Sequence, residues 1–158
     1  MRQTMKFAAV ILLALLATAC SKPEMHMLEG TWQWTHTTGG IAGVNYTPES
    51  ESFKAEIVFE GNKFTFYKDG EKITSGNYQI DGWEAKEDEM PHPDVLFRSK
   101  IRFPEAKCKE IDKATDGKIY LYPTSLALLD LVTDDYQELS LHSYSFVDDF
   151  RVTFVKKK

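Results

Sequence analysis

Cysteine is nearly missing from this 158-residue chain, which holds only Cys20 and Cys108. That excludes a disulfide-stapled scaffold, which needs several bridges to stand in for a core. A Cys20–Cys108 bridge stays open only if Cys20 is a free thiol in an oxidising compartment. Histidine is also sparse. His26, His36, His92 and His142 form no H-E-x-x-H pattern, and no C-x-x-C accompanies them, so neither a metal nor a cofactor is expected. Net positive charge is absent, with 19 Lys and Arg against 24 Asp and Glu, a balance of −5. An acidic chain suits a phosphate backbone poorly, and no nucleic-acid partner is expected. The one basic run, Lys156-Lys157-Lys158, reads as a solvated tail.

Catalytic signatures are missing as well. No G-x-S-x-G elbow and no P-loop occurs. Asp134-Asp135 and Asp148-Asp149 are adjacent pairs, which a strand sends to opposite faces. The acidic run 84–89 lacks the spaced Asp/Gly pattern of a calcium loop. Cys108 lies between Lys107 and Lys109, which would favour a thiolate, yet it has no catalytic companion and reads as incidental. The chain is not expected to be an enzyme. Long apolar runs are absent too. The longest, residues 7–16, would span about 15 Å as a helix, half of a hydrocarbon core of roughly 30 Å.

That short run has a different meaning. Arg2 and Lys6 precede it, and the small residues Ala17, Thr18 and Ala19 follow, leading directly to Cys20. This is a cleavable export signal. The stretch ending at Cys20 resembles the lipobox of bacterial lipoproteins. The resemblance implies cleavage after residue 19, acylation of Cys20, a tether over 20–27 and a folded domain over 28–158. Two or more acyl chains give stable anchoring where one does not. Ser21 after the cysteine resembles outer-membrane lipoproteins, so a lipid-anchored place in the bacterial cell envelope, at the outer membrane, is expected. Ala17-Thr18-Ala19 is also an A-x-A site, whose use would leave a soluble periplasmic protein with an unmodified Cys20.

Beyond the signal, period two dominates. Phe53, Ala55, Ile57 and Phe59 share one face of a strand over 52–60, against Lys54, Glu56 and Glu60 on the other. Gly61-Asn62 and Asp69-Gly70 are hairpin signals. They join that strand to one over 63–68, with Phe64 and Phe66 on one face, and to another over 71–80, with Tyr78 and Ile80 inward and Gly76 marking a bend or bulge. Residues 81–94 are acidic, contain Pro91 and Pro93, and read as a loop. Strands follow over 95–103, with Val95, Phe97, Ile101 and Phe103 on one face, and over 118–122. Residues 105–117 hold at most a short helical turn. The run 125–132 is helix or strand; periodicity does not decide over so short a length. Residues 137–142 and 150–157 close the pattern as two strands.

Leu28-Glu29-Gly30-Thr31-Trp32-Gln33-Trp34 opens the domain. Gly30-Thr31-Trp32 resembles the G-x-W motif of lipocalins. With Trp34, the Gly-rich segment 39–43, Thr47-Pro48 and Ser75-Gly76-Asn77-Tyr78, the chain is similar to small lipocalin-like lipoproteins of Bacteroidota-type envelopes. The resemblance implies an all-β, antiparallel up-and-down (meander) barrel of about eight strands. Trp32, on one face with Trp34 and His36, would seal one end of it. Gly30 would give the chain close approach, and Arg151 from the last strand would cover the Trp32 ring.

A barrel of that size holds one small ligand or is filled by its own side chains. Trp34, Phe53, Ile57, Phe64, Phe66, Tyr78, Phe97 and Ile101 are the candidate lining of a pocket for a small hydrophobic molecule. The competing expectation is a closed core, with the loops 39–50 and 81–94 meeting an envelope protein partner.

Overall fold

The computed structural model describes residues 23–81, 95–121, 127–132, 137–143 and 150–158. Residues 1–22, which include Cys20 and the expected export signal, and residues 82–94 of the segment expected to be a loop lie outside them. Helix α1 (Pro23–Leu28) leads into strand β1 (Gly30–Gly39). There follow β2 (Val44–Tyr46), helix α2 (Pro48–Glu51), β3 (Ala55–Glu60), β4 (Lys63–Lys68), β5 (Glu71–Asn77) and β6 (Gln79–Asp81). Then come β7 (Val95–Arg102), helix α3 (Glu105–Thr115), β8 (Ala127–Val132), β9 (Glu138–Ser143) and β10 (Phe150–Lys156). No described helix is long and apolar enough to cross a membrane.

The strands form one antiparallel sheet in the order β5-β4-β3-β1-β10-β9-β8-β7-β6, with β2 also paired to β1. The meander β3-β4-β5 is set by its turns. Gly61 has φ 57°, and Asp69-Gly70 take φ 51° and 82°, the double positive φ of a two-residue hairpin. Thr47-Pro48 caps α2, with Thr47 Oγ1 accepting from the Ser50 amide at 3.2 Å and Ser50 Oγ accepting from the Thr47 amide at 2.9 Å.

The architecture is all-β, as the alternation implies, but it differs from the expected barrel in several ways. Among the described residues the sheet has ten strands rather than about eight, and no bonded pair among them closes its path. Its two edges, β5 and β6, are consecutive in the chain and separated by Tyr78 alone. The Tyr78 amide still donates to Asn62 O at 2.9 Å, on the β4 side, while Ile80 pairs with Ile101 of β7. The expected helical turn is an eleven-residue helix, α3. Its buried residues Cys108, Ile111 and Thr115 recur at helical spacing. Lys118 to Leu121 form no strand; Ile119 and Leu121 are nonetheless buried and pin this return segment to the core. Residues 127–132 are a strand, hydrogen-bonded on both sides to β7 and β9.

Three irregularities break the register, one of them between Val95 and Phe97 of β7 against β8, and the other two bear on described side chains. Between Trp34 and His36, β1 carries one residue more than β10, whose Phe154 and Thr153 are the partners. The bulge turns Thr37 inward in place of His36, so His36 does not share the face of Trp32 and Trp34. On β5 the extra residue is Ile73, since Phe66 pairs with Thr74 and Tyr67 with Lys72. Gly76 is not the bulge; it stays in register opposite Phe64.

One buried cluster results. It joins Trp32, Trp34, Ile57, Phe59, Phe64 and Phe66 to Leu139, Leu141, Val152 and Phe154 from the far half of the chain. Thr37, Ser99, Ser140 and Thr153 are buried with it. Ser99 Oγ donates to Asp81 O at 2.7 Å, and Ser140 Oγ lies 3.3 Å from Thr153 Oγ1.

Candidate functional site

Of the candidate lining residues, Trp34, Phe53, Ile57, Phe64, Phe66, Tyr78 and Ile101 fall in this cluster, whose rings form two groups. Trp34 and Phe53 stack with centroids 5.3 Å apart and planes 13° apart. The Trp34 Nε1–H donates to Thr37 Oγ1 at 3.0 Å, which fixes the indole. Lys68 Nζ lies 4.7 Å from the Phe53 centroid and donates to Ala114 O at 2.8 Å, near the end of α3. The second group is Phe59, Phe64, Tyr78 and Phe103. Phe59 meets Tyr78 edge-on at 5.0 Å, and Phe64 meets Phe103 edge-on at 5.0 Å.

Ile57, Phe66 and Ile101 are buried alongside these rings. Phe97 pairs with Leu131 through the backbone of β7 and β8, and its side chain lies outside the description. Phe59 and Phe103 belong to the ring cluster as much as Phe64 does. The same alternation that selected Phe53 and Ile101 marks them.

Tyr78 is held from both ends. Its hydroxyl donates to Gly61 O at 2.7 Å. Burial, and secondarily the charge of Glu29, push its phenol up to about 12. Cys108 is buried on α3, and burial lifts its thiol to about 12. Its neighbours do not activate it, because Lys107 pairs with Glu110 and Lys109 with Glu105 within the helix.

At Trp32 the cover is Lys156, not Arg151. Trp32 pairs with Lys156 in the β1–β10 register, and Lys156 Nζ lies 5.2 Å from the indole centroid. Arg151 pairs with Thr38, toward the other end of β1, and is exposed. The Trp32 Nε1–H donates to Leu28 O at 2.7 Å, tying α1 to the sheet. Gly30 has φ 118°, and a Cβ there would come within 3.3 Å of Lys156 Cε, so glycine serves both the turn into β1 and the lysine's path. Lys156 is therefore a half-buried strand residue, while Lys157 and Lys158 are exposed. Lys157 also bonds Thr31 O through its amide and Glu56 Oε1 through Nζ, each at 2.8 Å.

Two shallow grooves of about 360 and about 320 Å³ lie on the outer face of β1 and β3 to β5. They share Val58 and Glu60, with Lys63 and Thr65 in one and Glu29 and Thr31 in the other. Among the described residues no three His, Cys, Asp or Glu side chains gather to hold a metal. His92, the acidic run 84–89, Asp134-Asp135 and Asp148-Asp149 lie outside those residues.

No protein-family model, curated protein or solved structure matches this chain. The cluster's own chemistry then carries the reading. It offers stacked and edge-on rings and aliphatic side chains, with its hydroxyls already bonded inward at Thr37, Ser99 and Tyr78. These rings are themselves buried, Phe59 and Phe64 at 0% exposure, so the cluster is an apolar interior closed to water.

Proposed function

We propose that this chain is a cell-envelope lipoprotein, anchored at the outer membrane through acyl chains on Cys20. Its sheet forms a lipocalin-like barrel that holds a small hydrophobic molecule among its aromatic side chains. The observation that carries this reading is the grouping of rings from β1, β3 and β4 in one buried cluster of the antiparallel sheet, together with Phe53, Tyr78 and Phe103. Burying an apolar ligand there would remove its surface from water at roughly 25 cal/mol per Å².

Titration of the purified protein with cis-parinaric acid tests it. A saturable fluorescence rise, displaced by unlabelled fatty acid, supports the reading, whereas linear, non-displaceable signal sinks it. Mass spectrometry of protein from its native membrane tests the anchor. Acyl mass on Cys20, and release of a Cys20→Ala variant from membranes, are the expected results.

A second reading, a closed-core lipoprotein that meets an envelope partner through its loops, draws on Ile41. This side chain is 85% exposed at the tip of the β1–β2 hairpin, where Gly43 N bonds Gly40 O at 3.0 Å. Nothing charged flanks it between residues 39 and 48. Ile41→Ser would then weaken partner capture at unchanged thermal stability.

A further inference from the structure

We propose that α3 is a shutter on the sheet, and that its displacement is the route by which a small apolar ligand reaches the rings of Phe59, Phe64, Tyr78 and Phe103. The inference rests on the ligand-binding reading above.

The sheet leaves a place for such a device. β5 is bonded to β4 on one side and to no strand of the described residues on the other, while β6 is bonded only to β7. α3 packs against β5 and the end of β4. It lies on the side that the rings occupy. A Cβ built on Gly76 would point between them, 3.2 Å from the Phe64 ring and 3.3 Å from Lys107 Cγ. Cys108, Ile111 and Thr115 are the buried face of the helix. Moving α3 away from β5 would therefore uncover the flank of Phe64, and through it Phe103 at 5.0 Å.

The helix is built to keep its shape while it moves. Its ion pairs, Lys107–Glu110 and Lys109–Glu105, run within it. The Thr115 hydroxyl donates to its own Ile111 O at 2.9 Å, and Gly117 N closes onto Asp112 O at 2.9 Å. Both ends can act as pivots. Pro104 caps the start with no side-chain hydrogen bond, and Asp116 and Gly117 reverse the chain with φ 50° and 71°. Against the sheet it is held by that narrow buried face, by the Glu110 carboxylate drawn to the Thr74 hydroxyl of β5, and by Lys68 Nζ on Ala114 O at 2.8 Å. The strands around it are locked by ladders of backbone bonds. An element docked by few side chains beside laddered ones is the first to open.

Cys108 reports on the motion. In the full chain carrying Cys20→Ser it is the single thiol, and it is buried while α3 is docked. Its reaction with Ellman's reagent, followed across urea concentrations below the unfolding transition, reads the opening directly. Opening of α3 alone gives labelling that hardly varies with urea and runs at least about tenfold faster than global unfolding permits. Lys68→Met keeps the packing on Phe53 but drops the bond to Ala114. It is expected to raise labelling and the rate of cis-parinaric acid uptake together, by about threefold or more, with little change in the unfolding midpoint.

Labelling that follows global unfolding, with the same urea dependence, overturns the shutter; continued parinaric binding would then leave the ligand reading standing. Local labelling without any saturable parinaric binding overturns the ligand reading and the route with it.

Discussion

The ammonium of Lys156 stands over the indole of Trp32, 5.2 Å from its centroid, with the two residues directly paired across β1 and β10. A cation held over a ring at a partly covered site contributes about 0.5–1 kcal/mol. Lys156→Ala is expected to lower stability by roughly that amount plus the packing of its stem. Arg151→Ala, on an exposed side chain, should stay within about 0.5 kcal/mol of the parent. Urea unfolding followed by tryptophan fluorescence checks both. The reverse ranking would restore Arg151 as the cover.

Thr37 accepts the Trp34 Nε1–H at 3.0 Å inside the core. Thr37→Val keeps the shape and removes the acceptor. A buried donor left without a partner costs about 1–3 kcal/mol. The expected loss is in that range, with a change in near-ultraviolet circular dichroism as the indole is freed. No change in either signal would show that the bond holds nothing in place.

Gly76 faces the Phe64 ring and Lys107 so closely that an added Cβ falls 3.2 and 3.3 Å from them. Gly76→Val should cost about 1–3 kcal/mol through overpacking, and it should loosen α3 before it loosens the strands. Hydrogen exchange checks the order. Amides of residues 105–115 should lose protection by more than those of β3 and β4.

The pH dependence follows from Tyr78 and Cys108. Tyr78 is raised to about 12 by burial first and by the charge of Glu29 second, from an ordinary 10. The unfolded chain then releases this proton more easily than the folded one. The stability linked to it is complete below pH 10 and is lost as pH rises from 10 to 12. Two pH units correspond to roughly 2–3 kcal/mol. Cys108, raised by burial to about 12 from 9, acts in the same direction from a lower starting point. Unfolding midpoints should fall from pH 9 upward, and in Tyr78→Phe the fall above pH 10 should shrink. Midpoints that hold steady or rise over this range would count against the buried phenol.

The parts of the fold that were plain in the residues are those fixed by neighbours in sequence. β3 and β4 show because Phe53 to Phe66 alternate and because Gly61 and Asp69-Gly70 supply positive φ where the hairpins need it. β8 was undecidable because it is bonded on both sides, and its Leu-rich run is equally at home in a buried helix. α3 hid behind its charge. Only Cys108, Ile111 and Thr115 turn inward, too sparse a stripe to stand out among three lysines and three acids. The bulge after Trp34 has no signal in a Thr-rich segment, and with it went the orientation of His36. The cover over Trp32 depends on the register between the first and last strands, which nothing local specifies; the lipocalin resemblance points to Arg151 by position, although Arg151 alternates out of phase with Val152 and Phe154 while Lys156 is in phase with them. The candidate rings were legible as a set; their division into two groups, and the membership of Phe59 and Phe103 in one of them, came from packing between distant strands.

The pairing of β1 with β10 joins residue 32 to residue 156 and residue 39 to residue 150. The central seam of the sheet therefore cannot be sewn until the final strand has been delivered, and partners so remote along the chain find each other slowly. The part already made lacks the strand that pairs Phe154 with Trp34, so the two halves of the buried cluster meet only when residues 150–156 are in place.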